Sequence, residues 1–136
     1  MTRLPILLSI PHGGLAVPPE VAGRLAIGER ALYNECDLWA DLLYDFAAPS
    51  QSPPSAPSGR APISHHQSPP SVLAAVTFPI ARALIHVNRA PANLDHPDGA
   101  VKSQTSYGEQ IYAQPLTAAE KAALRDTYWA PYHAAL

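Results

Sequence analysis

The sequence predicts an α/β fold, because short apolar runs typical of buried strands are separated by segments with helix signals. Residues 4–10 form an apolar run that ends at a Pro-His-Gly-Gly sequence, as expected for a buried strand leading into a loop. Residues 72–76 and 83–87 are two further runs of this kind. With 136 residues, the chain is long enough for one ordinary domain, predicted over 1–136.

Three helices are predicted from local patterns. The two prolines at 18 and 19 favour a short helix over 20–26, since proline suits a first helical turn. Residues 31–47 carry apolar side chains at steps of four and three, which is one face of an amphipathic helix: Leu32, Cys36, Trp39, Leu43 and Phe46. Thr117 and Glu120 form a capping box that starts a helix running to about Trp129. Pro131 is expected to kink that helix or to open another turn.

Residues 48–71 differ in kind from the rest of the chain. Seven of these 24 residues are proline, and the pentapeptide Gln-Ser-Pro-Pro-Ser occurs twice, at 51–55 and 67–71. This composition cannot bury enough apolar surface to offset the entropy of ordering, so it predicts a disordered, partly polyproline II insertion. A ligand for a proline-recognition domain is the alternative. Residues 93–110 are predicted to form a long loop, a kind of segment that often carries function.

Composition excludes several classes of protein. The net charge is −2 and charged residues make up 15% of the chain, which leaves no basic face for nucleic acid. No apolar stretch is long enough for a membrane span. A single cysteine, Cys36, excludes an intrachain disulfide framework and a Cys-based zinc cluster. We therefore expect a cytoplasmic protein that binds neither nucleic acid nor a membrane. Cys36 falls on the predicted apolar helix face, so we expect it to be a buried structural thiol.

His12 is the first candidate for chemistry. It follows a predicted strand and precedes Gly13 and Gly14, a place where α/β proteins bind ligands. A tight turn in which the histidine caps a backbone group explains the same residues equally well. Asp37 could share Zn²⁺ with a histidine. On spacing alone, however, Asp37 and Glu35 are better explained as part of a solvated helix face.

Asn88 and Arg89, with Arg82 upstream, are the second candidate. A guanidinium fork suits a substrate carboxylate and an adjacent asparagine adds a donor, although a surface salt bridge is the simpler explanation. The aromatic residues within 128–133 are expected to pack in the core. His86 and His96 are expected to be structural or solvated.

Taken together and in order, these motifs resemble the N-formylglutamate amidohydrolase family. Residues 9–14 look like its opening Pro-His-Ala/Ser/Gly-Gly signature, and Asp37 with 42–47 looks like its acidic segment. Residues 72–75, Arg82 and 87–89 look like its central strands and Asn-Arg motif. Residues 107–112 and 128–133 match its later aromatic segments.

The resemblance implies a mixed-sheet α/β sandwich related to the zinc carboxypeptidases. It implies that His12 and Asp37 bind zinc, that Asn88 and Arg89 bind a substrate carboxylate, and that Arg82 is a second cation near the site. The implied reaction is zinc-dependent hydrolysis of the formyl amide of N-formyl-L-glutamate, or of a similar N-acyl amino acid, to formate and the free amino acid. In its family this reaction belongs to histidine degradation.

The chain also departs from the family pattern. His86 stands where the family has aspartate. The family's third zinc ligand lies in an Asp-x-His-Ser segment downstream of Pro-Tyr-His, its acid/base carboxylate lies further on, and both would fall beyond Leu136. The expectation is therefore that the chain corresponds to the N-terminal half of the family fold. Two alternatives stay open: an inactive fragment, or a small α/β module with a carboxylate pocket at Arg89.

Overall fold

The computed structural model describes residues 6–43 and 72–136. Strand β1 (Ile6–Ile10) pairs in parallel with strand β2 (Val72–Thr77), with Ile10 opposite Thr77 and a register irregularity between Ile6 and Leu7. The α/β prediction is confirmed at this level, as a small parallel sheet accompanied by helices. The predicted insertion at 48–71 lies outside the described residues.

Five short α-helices accompany the sheet, and none within the described ranges is long and apolar enough to cross a membrane. The helix predicted over 20–26 is shorter and begins earlier than expected, because Pro19 itself occupies the first turn. In chain order the helices are α1 (Pro19–Ala22), α2 (Glu29–Glu35), α3 (Ala40–Leu43), α4 (Ala118–Leu124) and α5 (Ala130–Ala134).

The single helix predicted over 31–47 is wrong, because the backbone leaves the helical conformation between α2 and α3. Cys36 is extended, with φ −87° and ψ 142°, and Trp39 has a positive φ of 68°. Of the predicted apolar face, Leu32 packs in the core at 8% exposed, whereas Trp39 and Leu43 are 66% and 67% exposed. The part of the prediction over 44–47, which includes Phe46, lies outside the described residues. Cys36 is half-buried rather than a core thiol, and its Sγ lies 3.2 Å from the carbonyl oxygen of His12.

The strand predicted over 83–87 is also wrong, although these residues are buried as expected. The amides of Leu84 and Ile85 both donate to the carbonyl of Ala81, at 2.9 and 3.1 Å, which makes a compact turn. Ile85 then forms an isolated antiparallel bridge with Val101. A short apolar run cannot distinguish a buried strand from a buried turn, since both exclude water equally.

The core is built largely around this turn and around the predicted loop over 93–110. That loop is confirmed as irregular, with short bridges instead of strands. Its residues nevertheless contribute to the buried centre of the protein: Ala100 and Val101 are 0% exposed, as are Ala83, Leu84, Ile85 and Ile111 outside the loop. Irregular backbone therefore provides the surface on which the helices pack.

The capping box at the start of α4 is confirmed. The Thr117 hydroxyl accepts a hydrogen bond from the amide of Glu120 at 3.2 Å, and the Glu120 carboxylate accepts one from the amide of Thr117 at 2.7 Å. After α4 the chain widens into one π-helical turn (Arg125–Trp129) and then continues as α5, with Pro131 in its first turn. Proline at 131 thus opens a further helical segment, one of the two expected outcomes.

Replacing Thr117 with alanine is expected to lower the free energy of unfolding by about 1 kcal/mol, the usual cost of losing an N-cap side chain. Urea denaturation followed by circular dichroism measures the change. Thr117→Ser keeps the hydroxyl and is the matched control, which is expected to lower the free energy of unfolding by only a few tenths of the loss seen with alanine. An equal loss in both variants would contradict a capping role for the hydroxyl.

Candidate functional site

His12 and Asp37 meet at the carboxyl end of β1, although they are 25 positions apart in the chain. The Nδ1 atom of His12 lies 3.2 Å from Oδ2 of Asp37. The backbone holds the two segments together, because the amide of Asp37 donates to the carbonyl of His12 at 3.0 Å. The bend after α2, at which the predicted helix fails, is what brings Asp37 to the histidine.

Arg82 lies beside this pair as the nearest cation. Its Nη1 lies 3.4 Å from Oδ1 of Asp37, so the carboxylate contacts both the imidazole and the guanidinium. Burial lowers the pKa of His12, and the charge of Arg82 lowers it further, while Asp37 opposes both effects without reversing them. His12 is therefore a neutral imidazole at pH 7, the form that binds metals.

His86 packs against His12, although the two histidines are distant in the chain. The two rings meet edge to face with centroids 4.9 Å apart, and His86 is 4% exposed. The Arg82 Nε–H donates to Nε2 of His86 at 3.3 Å. Burial, followed by the charge that His12 carries when it is protonated and by the charge of Arg82, lowers the pKa of His86 to about 4. The expectation of a structural histidine agrees with this buried position.

The His12–Asp37 pair fits two corners of a zinc site. Imidazole nitrogen and carboxylate oxygen are both zinc donors, and two such atoms on a tetrahedral zinc are about 3.3–3.5 Å apart. The observed separation of 3.2 Å is close to that value. A catalytic zinc takes three protein ligands, however, and no group of three candidate donors occurs within 6–43 and 72–136. The described residues therefore fit part of a zinc site.

Arg89 lies differently from its predicted place at a strand end, because the strand itself is absent from 83–87. Its guanidinium pairs with the carboxylate of Asp98 and is about half exposed, at 49% for the side chain. It lines a pocket of about 350 Å³ with Asn93, His96, Asp98 and other loop residues. His12 is not among the described residues that line this pocket. Asn88 is exposed beside it.

The aromatic segment 128–133 contacts the backbone of the segment 87–89, which contains Asn88 and Arg89. The indole N–H of Trp129 donates to the carbonyl of Arg89 at 3.1 Å, and Nε2 of His133 lies 2.7 Å from the carbonyl oxygen of Val87. The two rings stack with centroids 3.9 Å apart. Tyr132 is buried as expected, and its hydroxyl lies 2.6 Å from Oγ of Ser9 in β1.

A buried charge network that sequence reasoning missed leads from the core to this pocket. The Lys102 side chain is fully buried, and its Nζ lies 2.7 Å from Oε2 of Glu35, whose side chain is 1% exposed. The same Nζ lies 3.2 Å from Oδ1 of Asp98, which binds Arg89. The Ser106 hydroxyl donates to Glu35 at 3.0 Å, and its amide also donates to that carboxylate.

The expectation that Glu35 lies on a solvated face is therefore wrong. Burial by itself would raise the pKa of Glu35, but hydrogen bonds from Lys102 and Ser106 more than offset that effect and hold the pKa below its usual value. The network was hard to find because its members are distant in sequence. The one available signal is a lysine that directly follows the apolar pair Ala100-Val101.

These observations define an α/β protein that sets an imidazole and a carboxylate together at the end of a parallel strand, with arginines nearby. A comparison with protein-family models matches residues 4–136 to N-formylglutamate amidohydrolase, and the chain belongs to that family. Comparisons with curated proteins and with solved structures give no match. Membership of the family suggests hydrolysis of an amide bond.

Proposed function

We propose that the chain hydrolyses the formyl amide of N-formyl-L-glutamate, or of a similar N-acyl amino acid, to give formate and the free amino acid. The observation that carries this proposal is the contact between His12 and Asp37 in a chain that matches the family over residues 4–136. This reaction needs no partner beyond a small-molecule substrate. A cytoplasmic location and a place in histidine degradation remain predictions from the sequence.

The proposed cofactor is zinc, held in part by Nδ1 of His12 and Oδ2 of Asp37. When bound, zinc supplies a Lewis acid and an acidified water for attack on an amide. The neutral state of His12 favours this role, because a protonated imidazole cannot bind a metal. Arg82 contacts the outer oxygen of Asp37 and thereby holds the carboxylate in place.

Arg89, with Asn88, is proposed to bind the substrate's carboxylate. The pocket that Arg89 lines is about 350 Å³, room enough for an amino acid. Its guanidinium already pairs with Asp98, which fixes the direction of the fork and leaves the other N–H groups for a ligand. Trp129 and His133 hold the backbone on either side of Asn88 and so preserve this direction.

Removing the two proposed ligands tests the zinc assignment. His12→Ala and Asp37→Asn are each expected to lower zinc affinity at least tenfold and to abolish any release of formate from N-formyl-L-glutamate. Metal content by mass spectrometry and formate release by a coupled assay are the measurements. Glu29→Gln, which removes an exposed carboxylate of α2 outside the pair, is the control. Zinc binding that survives both ligand variants would refute the assignment.

Arg89→Lys keeps the charge and loses the fork, so kcat/KM is expected to fall about ten- to a hundredfold, in line with the loss of a charge-assisted hydrogen bond. Arg89→Ala is expected to lower kcat/KM further, and most for acidic substrates. Arg30→Ala, at an exposed arginine on α2, is the control. The assay compares N-formyl-L-glutamate with a formylated amine that has no carboxylate, and an equal loss on both would make Arg89 structural.

A second candidate is a carboxylate-binding module without catalysis, which includes the case of an inactive fragment. The observation that favours it is the absence of a third donor beside His12 and Asp37 among the described residues. Calorimetry separates the two functions. Binding of N-formyl-L-glutamate that requires Arg89 and is unchanged by zinc, with no release of formate, would establish the module.

A further inference from the structure

We propose that His86 acts as a positioning residue for His12: it offers Nε2 of His12 no acceptor and so leaves that ring in the tautomer that does not present Nδ1 to a metal. This inference rests on the proposed zinc role of His12 and Asp37. It assigns a role to a buried histidine that makes no direct contact with substrate in the proposal above.

The starting observation is a buried atom that lacks a partner. Nε2 of His12 is inaccessible to solvent and has no hydrogen-bond partner among the described residues. The opposite ring nitrogen, Nδ1, faces Asp37 at 3.2 Å. One side of the ring is therefore satisfied and the other is not.

The two neutral tautomers of His12 have different consequences at these atoms. With the proton on Nδ1, the ring donates to Asp37 and leaves only a lone pair unsatisfied at Nε2. With the proton on Nε2, Nδ1 has the lone pair that a metal needs, but a buried N–H is left without an acceptor. The surroundings of the ring thus favour the proton on Nδ1, where it blocks the atom that faces Asp37.

His86 cannot supply the missing acceptor. Its Nε2 lone pair already accepts from Nε–H of Arg82 at 3.3 Å, so the proton of the neutral ring lies on Nδ1. That Nδ1 is itself buried and has no partner within the described ranges. The His86 ring, packed edge to face on His12, therefore offers a donor and no free lone pair.

A side chain with acceptor oxygens at position 86 would change this balance. An aspartate there could accept from Nε2–H of His12 and would face the cation Arg82, which now contacts His86. An outer carboxylate that binds the second nitrogen of a histidine ligand fixes its tautomer and raises its basicity. Asparagine has the same shape and an acceptor oxygen, but no charge.

Zinc affinity of the full chain, measured by competition with a chromogenic chelator, provides the first test. His86→Asp is expected to bind zinc about ten- to a hundredfold more tightly than the unmodified chain, the range typical of outer-sphere partners. His86→Asn is expected to show a smaller gain, and it also serves if the aspartate variant folds poorly. His86→Ala lacks an acceptor and is expected to show none. An aspartate variant no tighter than the alanine variant would overturn the proposal.

A metal-free readout separates this proposal from the zinc assignment. Nitrogen–proton correlation NMR of the imidazole rings reports which nitrogen of His12 carries the proton. In the metal-free unmodified chain we expect the proton on Nδ1 and none on Nε2, and in metal-free His86→Asp we expect Nε2 to carry a proton. An unchanged tautomer would refute the role of His86 even if His12 binds zinc. A changed tautomer in a chain that binds no zinc would support the positioning role and refute the proposed cofactor.

Discussion

Replacing Lys102 with methionine is expected to lower the free energy of unfolding by about 3–5 kcal/mol, the cost of removing one partner from a buried ion pair. The lysine side chain is 0% exposed and lies between two carboxylates, Glu35 at 2.7 Å and Asp98 at 3.2 Å. Methionine fills similar volume, so the loss reflects charge rather than a cavity. Urea denaturation at pH 7, followed by far-UV circular dichroism, measures the change.

A double variant distinguishes the charge effect from a packing effect. Glu35→Leu alone is expected to be strongly destabilising, because among the described residues it leaves Lys102 with one carboxylate, Asp98, which Arg89 already binds. Combined with Lys102→Met, it removes both buried charges, so the pair is expected to cost clearly less than the sum of the single variants. Arg30→Met, at an exposed site, is the surface control. Additive losses would show that the network contributes only by packing.

Gly14→Ala is expected to lower the free energy of unfolding by about 3 kcal/mol or more, at the upper end of overpacking effects. The new methyl group would meet backbone atoms, which cannot move aside as a flexible side chain could. A Cβ at this position would lie closer than 3.0 Å to the carbonyl oxygens of Phe78 and Pro79, both backbone atoms. The neighbouring hydrogen bond from Ala16 to the carbonyl of Pro79, at 2.9 Å, would have to give way. Thermal and urea denaturation measure the loss.

The matched control for this substitution is Gly23→Ala. Nothing lies within 4 Å of a Cβ built at Gly23, and its φ of −77° suits alanine. This variant is expected to be neutral or slightly more stable, since alanine restricts the unfolded chain. Equal stability of the two variants would contradict the close approach of the Gly14 segment to residues 78–79. We also expect Gly14→Ala to weaken zinc binding, because His12 lies two residues away.

Local signals in the sequence predict those elements whose causes are local. The run before Pro11 forms β1, the run at 72–76 forms β2, and Thr117 with Glu120 forms the capping box. The helix predicted over 31–47 breaks after Glu35: Leu32 packs in the core, but Trp39 and Leu43 are exposed, so tertiary packing overrides the period. The prediction of a strand over 83–87 fails for a related reason, since burial does not specify backbone hydrogen bonding.

In the candidate site, too, the contacts between residues that are distant in the chain are the features that local sequence signals do not predict. His12 and Asp37 could be paired from the sequence only through the family resemblance, because no short metal spacing joins them. The contact of His86 with His12, and the pairing of Lys102 with Glu35, depend on segments that are distant in the chain. A single sequence shows which of these residues can be charged, but it does not show which residue each of them contacts in the fold.

The π-helical turn between α4 and α5 has a consequence for aligning related sequences. A wide turn takes up more residues than an α-helical turn, and each residue added or removed rotates all that follows by about 100°. The turn at Arg125–Trp129 therefore sets the angle at which Tyr132 faces Ser9 and Phe78. A relative that is one residue shorter here can keep the same tyrosine contact by forming a regular helix. A one-residue gap in this segment thus marks a change of helical pitch and not the loss of the aromatic anchor.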